Sequence, residues 1–255
     1  MQVFGNSVSK KLFIIGFLTL LFLIPTGLII ALIMDRTNYR DIALEDISSK
    51  WGKKQNIGNI ILYIPYENQN TKKINASNES YKEYLRILPE QLNITAQVEP
   101  EIRKRGIFKF VFYNSSFKIN GNFKAIDYNK YKINPADLKT DQAFIQMEIT
   151  DLIGLKDSIR FSWNRLPQNF ESGLITLSEM KSGVNSRVPF SNTDSSFEIN
   201  LDLRGCEELN FYPNGKISNT KLYTSWPEIS FNGAFLPGNG PLFLYRLRRG
   251  PGLPH

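Results

Sequence analysis

Residues 12–34 read LFIIGFLTLLFLIPTGLIIALIM, with no charged side chain among them. At about 1.5 Å per residue, about 23 residues make a helix of about 34 Å, enough to cross a hydrocarbon core of about 30 Å with some tilt. A helix apolar on every side has to be enclosed, either by protein or by lipid. Pro25 and Gly27 would weaken a helix in water but are tolerated in a spanning one. Thr19 and Thr26 can return hydrogen bonds to carbonyls one turn earlier. A cleaved signal peptide carries an apolar stretch of only about 7–15 residues followed by a small-x-small site. This run is longer and leaves through Ala31-Leu-Ile-Met-Asp35, so it is expected to be an uncleaved transmembrane helix with the lipid bilayer as its first partner.

Lys10 and Lys11 flank the short N-terminal side, while Arg36 and Arg40 stand among Asp35, Asp41, Glu45 and Asp46 on the other. Counting Lys and Arg decides orientation only weakly here, and a large domain after a first anchor is translocated largely regardless of charge. The expectation is residues 1–11 in the cytoplasm and the main domain outside. Ala43, Leu44 and Ile47 form a narrow apolar stripe, so a juxtamembrane helix is predicted over 35–52, stopped by Gly52. Tyr39 and Trp51 suit either the headgroup level or packing against the domain that follows.

Beyond Gly58 the period falls to two. A strand is predicted from Asn59 to Pro65. Alternation marks others at Phe108, Phe110 and Phe112; at Phe117, Ile119, Gly121 and Phe123; at Ile145, Met147 and Ile149; at Ile159, Phe161 and Trp163; and at Phe197, Ile199, Leu201 and Leu203. Each reads as a strand with one buried and one wet face. Asn120-Gly121, Asn134-Pro135 and Asn214-Gly215 are turn signals, and Pro135-Ala-Asp-Leu can start a short helical turn. The predicted fold class is mainly β: an antiparallel β-sandwich-like domain over 53–237, following one N-terminal transmembrane helix.

The formal net charge of +7 is dispersed over short clusters such as Lys53-Lys54, Lys72-Lys73 and Arg103-Lys104-Arg105. A nucleic-acid binder concentrates charge on one element with aromatics interleaved, so no nucleic-acid partner is expected. Cys206 is the single cysteine and His255 the single histidine. That leaves no internal disulfide, no cysteine or histidine metal cluster and no histidine triad in the domain. No metal, cofactor or catalytic residue is assigned. Ser178-Glu-Met-Lys181 fits the S-x-x-K pattern of penicillin-binding enzymes, but a following Lys181-Ser-Gly183 would have to reuse the same lysine for a motif that belongs on another element. Glu148 with Asp151, and Glu207 with Glu208, are carboxylate pairs, and Glu148 reads as a solvated residue on the wet face of its strand. Four N-x-S/T sequons, at Asn75, Asn78, Asn93 and Asn114, carry little weight in so Asn-rich a chain.

Four segments carry a resemblance. Asp35-Arg-Thr-Asn-Tyr-Arg40 resembles the R-x-x-Y-R signature that follows the membrane helix in the inner-membrane protein CreD family. Ile57-Gly-Asn-Ile-Ile-Leu-Tyr-Ile-Pro-Tyr66 is similar to that family's G-P-x-x-x-I-P strand, with Asn59 where proline is common. Asp151-Leu-Ile-Gly154 resembles its D-x-R-G turn, with Ile153 in place of arginine. Ser225-Trp-Pro-Glu-Ile-Ser-Phe-Asn-Gly-Ala-Phe-Leu-Pro237 is similar to its S-x-W-x-x-P-S-F-x-G-x-F-L-P. The resemblance implies an inner-membrane anchor, a periplasmic domain, a part in envelope stress and colicin tolerance, and no catalytic activity to assign to named residues. It leads us to expect an interaction or scaffold module whose partners are other envelope proteins. An envelope hydrolase using Ser/Lys or carboxylates, and a domain holding a lipid or other hydrophobic ligand between its sheets, are the alternatives. From 238 to 255 the chain turns Gly-, Pro- and Arg-rich, ending Gly250-Pro-Gly-Leu-Pro-His255. An irregular tail is expected there, either beyond a frame change or early stop near Pro237 in a longer gene, or as a basic tail touching lipid headgroups.

Overall fold

A computed structural model describes residues 5–66, 83–131, 133–176, 182–226, 230–231 and 244–246. The chain divides into two compact units, Met1–Ile47 and Ser48–His255. Helix α1 runs without interruption over Gly5–Trp51, so the spanning and juxtamembrane segments are one helix. It is long and apolar enough to cross a membrane, and the apolar side chains from Leu12 to Met34 stand exposed along it. Thr19 Oγ1 donates to the Ile15 carbonyl at 2.8 Å and Thr26 Oγ1 to that of Phe22 at 2.9 Å. Neither bond reaches the Leu21 carbonyl, to which Pro25, having no N–H, cannot donate.

The second unit begins with the last turn of α1. Gly52 ends the helix with φ +138°, a value side chains rarely tolerate, while its N–H still reaches the Ser48 carbonyl at 2.8 Å. Two sheets follow. One comprises β1 (Gln55–Tyr66), β2 (Glu83–Ile87), β5 (Phe144–Ile149), β8 (Glu171–Ser172), β9 (Gly183–Arg187), β11 (Leu209–Tyr212), β13 (Ser230–Phe231) and β14 (Leu244–Arg246). Its order is β13-β14-β11-β1-β5-β9-β8, with β2 also paired to β1. The other comprises β3 (Gln91–Arg105), β4 (Phe108–Phe123), β6 (Arg160–Trp163), β7 (Leu166–Gln168), β10 (Ser195–Cys206) and β12 (Ile217–Thr224). Its order is β12-β3-β4-β10-β6-β7. One apolar core lies between them, drawing Leu62 and Met147 from the first sheet and Ile94, Ile119 and Leu201 from the second. Rings fill it: Phe123 packs 5.3 Å from Phe197 and 5.8 Å from Trp163, and Phe117 packs 5.8 Å from Phe211.

The fold is the mainly β, sandwich-like domain the alternation predicts, with several local departures. Two pairings among the described residues are parallel, β1 with β11 and β12 with β3. Asn120-Gly121 is no turn but lies inside β4, opposite Glu198 and Phe197 of β10. A Cβ at Gly121 would sit 2.8 Å from the Phe197 ring, so that ring occupies the space a side chain would need. Asn214-Gly215 does connect two strands, and Pro135–Asp137 is a short helical turn capped by Asn134. Around residues 110–113 both faces of β4 are buried: Tyr113 joins the inter-sheet core, while Phe110 and Phe112 are covered on the opposite face. The tail expected to be irregular contributes one short strand, since Leu244–Arg246 pairs with β11. Most of the motif ending at Pro237 lies outside the described residues, which include its Ser230–Phe231 as β13.

β1 carries a bulge between Gly58 and Ile61, where its register against β5 shifts by one residue. The extra residue changes the parity, so that Ile57 and then Ile60, Leu62 and Ile64 all face the core. Asn59 takes φ +49° there, a conformation closed to proline. A bulge of this shape is therefore a feature of the Asn-bearing chain. Among the described residues, Ile60 is opposite no residue in the registers of β5 and β11. The Asn214 side chain substitutes for one, accepting from Ile60 N at 3.1 Å and donating to Ile60 O at 2.9 Å.

Candidate functional site

Two constructions in the second unit bring polar and aromatic side chains together. The first lies where α1 ends. Trp51 stands edge-on to Phe112, with ring centroids 6.3 Å apart and planes at 86°. The Arg103 guanidinium covers the indole at 3.6 Å, and that of Arg204 lies 4.8 Å from it. This stack covers the outward face of β4 and explains why Phe112 is buried on what the alternation marks as an ordinary strand. Of the two environments open to Trp51, packing against the domain is the one observed.

Behind the indole the chain is held by the motif residues. Asp151 Oδ2 accepts from Lys53 N at 3.0 Å while its Oδ1 caps Ile153 N at 3.0 Å. Gln55, fully buried, donates to the carbonyls of Asp151 and Arg204, both at 3.1 Å, and so ties the two sheets at this end. Gly154 leaves room for this packing: a Cβ there would lie 2.3 Å from Arg204 O and 2.5 Å from Gln55 Nε2. Ile153, where the resembling motif has arginine, is 58% exposed. Tyr113 is fully buried beside this group and donates its hydroxyl to the Glu208 carbonyl at 2.7 Å. Burial pushes its phenol well above the ordinary tyrosine range, helped by nearby Cys206.

The carboxylates noted in the sequence have structural partners. Glu148 is buried, correcting its reading as a solvated residue, because the bulge turns Asn59 onto it and Nδ2 donates to Oε1 at 2.6 Å. Lys54 Nζ lies 3.1 Å from Glu208 and 3.8 Å from Glu207. Ser178 and Lys181 lie outside the described residues, as do the sequons at Asn75 and Asn78. No group of three or more metal-ligating side chains occurs among the described residues.

The second construction is the outer face of the six-stranded sheet. Register places Asn219, Asn93, Asn120, Glu198 and Ser162 in one row across five strands. Asn219 Nδ2 donates to Asn93 Oδ1 at 3.2 Å, and Asn93 Nδ2 to Asn120 Oδ1 at 3.1 Å. Asn200 donates to Glu198 Oε1 at 3.0 Å, with Lys118 Nζ at 3.4 Å; the Asn200 bond comes first in lowering the pKa of Glu198. A groove of about 480 Å³ opens over this row, and the tip of the β6–β7 hairpin brings Arg165 to it. Asn164 and Arg165 both hold left-handed backbone, φ +50° and +66°. Asn164 is fastened by Oδ1 accepting from Ser196 N at 2.7 Å. Sequence reasoning missed this face because its residues come from strands read singly. The available signal was Asn120 and Asn122 at alternate positions of β4, with Asn93 on β3 and Asn219 on β12.

The family model described as inner membrane protein CreD matches residues 7–241. The chain belongs to the CreD family. The inner membrane protein CreD of Escherichia coli (strain K12) is 26% identical over 225 residues, which cover 86% of this chain and 49% of that protein. The chain thus spans about half the length of the curated CreD protein it matches. No solved structure matches. Within the CreD resemblance, Asp151 and Gly154 serve the helix exit and the Gly58-Asn59 segment serves the bulge.

Proposed function

We propose that this CreD-family chain is a non-catalytic envelope module. Residues 12–34 anchor it in the inner membrane, and its β-domain stands in the periplasm to bind other envelope components in stress response and colicin tolerance. The observation that carries this reading is where the family-motif polar groups go. Asp151 binds backbone at Lys53 and Ile153, and Gly154 gives close packing against Arg204, so the motif holds together the start of the β-domain. The candidate carboxylates point the same way, each held by an internal partner. The ring-filled core favours this reading over a ligand held between the sheets.

Crosslinking of the intact chain in cells, with mass-spectrometric identification of neighbours, tests the module reading. Specific envelope proteins joined to the β-domain are expected; crosslinks confined to lipid or to bulk background would overturn it. Protease added to spheroplasts tests the sidedness. Digestion beyond about residue 52 is expected, and a domain protected until the membrane is opened would reverse the orientation.

A further inference from the structure

The groove on the outer face of the six-stranded sheet is lined by amides and hydroxyls, with one cation, Arg165, and one carboxylate, Glu198. Gln91, Asn122, Ser162 and Ser196 line it, and among the described residues their side chains make no hydrogen bond within the protein. Asn120 receives a bond from Asn93, but its own amide N–H groups are unused. Glu198 has Oε1 engaged and Oε2 free, and the Arg165 guanidinium has no ion-pair partner among the described residues. Amides and hydroxyls both donate and accept, which matches a ligand whose own groups do the same. The space of about 480 Å³ falls within the about 300–1,000 Å³ of small-molecule sites.

We propose that this groove binds a neutral, hydroxyl-rich glycan. Gln91, Asn120, Asn122, Ser162 and Ser196 exchange hydrogen bonds with its hydroxyl and substituent oxygens, Glu198 accepts from a hydroxyl, and Arg165 closes the open end. Other ligand classes fit less well. An apolar ligand would cover these amides and hydroxyls without giving them partners. A polyanion would meet the Glu198 carboxylate. An extended peptide gains its affinity from an exposed sheet edge, whereas the groove lies mid-face over β3, β4 and β10, whose backbones are already paired on both sides. The hairpin tip is built in a way that supports a role for Arg165. Left-handed backbone is costly for arginine, and the geometry persists because Asn164 is fixed to β10. The ladder from Asn219 through Asn93 polarises the Asn120 amide and strengthens it as a donor.

The proposal gives a ligand class to the binding-module reading and rests on it, but its test is independent of cellular neighbours and of sidedness. The full chain is reconstituted in nanodiscs without sugar-bearing detergent and titrated calorimetrically with cellotriose, maltotriose and tri-N-acetylchitotriose. Saturable binding of at least one is expected, and preference for the last would show that acetamido groups are recognised. Asn120→Ala and Arg165→Gly should each weaken it about three- to tenfold. Arg165→Gly keeps the fold, since glycine suits φ +66°, so its effect reports the lost side chain. No saturable heat with any of the three glycans would overturn the proposal. So would affinity unchanged in both variants, or saturable binding of an extended polar peptide in place of glycan. Failure here with crosslinked neighbours in cells would remove the glycan and leave the module standing.

Discussion

Replacing Trp51 with alanine should uncover the outward face of β4 around Phe112. A fully buried Trp→Ala change costs about 3–5 kcal/mol, and Trp51 is half-buried, so packing against Phe112 accounts for roughly 2 kcal/mol. The Arg103 and Arg204 contacts, at 3.6 and 4.8 Å from the ring, add charge–quadrupole attraction. At partly exposed sites each is worth roughly 0.5–1 kcal/mol. The sum is about 3 kcal/mol, which for a domain of this size lowers Tm by about 6–12 °C. The assay is thermal unfolding of the full chain in nanodiscs, followed by near-ultraviolet circular dichroism, which reports packing of the β-domain aromatics. Trp51→Phe retains an edge-on ring over Phe112 with a weaker cation site and should fall between wild type and Trp51→Ala. A Trp51→Ala protein melting within about 1 °C of wild type would refute the reasoning, because a 3 kcal/mol loss cannot give so small a shift.

The same unfolding assay checks three further expectations. Gly154→Ala forces a methyl to within 2.3 Å of the Arg204 carbonyl, and overpacking against backbone should cost about 1–3 kcal/mol or more. Asn214→Ala removes both bonds to the buried backbone of Ile60, leaving an N–H and a carbonyl without partners, and should cost about 2–4 kcal/mol. Tyr113 is neutral in the folded state and its pKa is raised, so its contribution is complete below the unfolded value of about 10 and is lost as pH rises above it. Stability should therefore fall above about pH 10, and less steeply in Tyr113→Phe, while the native protein shows no tyrosinate absorbance from this residue until it unfolds.

Several features were legible because the physics acting on them is local. An uncharged run of residues 12–34 satisfies its backbone only as a helix and needs an apolar surround, whatever else the chain does. Alternation at Phe197, Ile199, Leu201 and Leu203 permits little but a strand with one face inward. Gly52 as the end of the helix, and the turn at Pro135, follow from backbone freedom and its loss.

Tertiary structure decided the rest, because those features depend on partners far away in the chain. Asn120-Gly121 carries the chemistry of a turn, yet a ring from Phe197 fills the glycine's space and keeps β4 extended. Phe112 is buried on the outward face because Trp51 and Arg103 reach it from other elements. Glu148 is buried because a bulge on β1 brings Asn59 to it. The ladder joining Asn219 to Asn93 spans 126 residues and exists only because β12 lies parallel to β3. Periodicity in the sequence tells which side of a strand is apolar. Which strand lies beside it, and what covers its other side, is set by the packing of the whole domain, and that is where both the Trp51 stack and the polar groove are made.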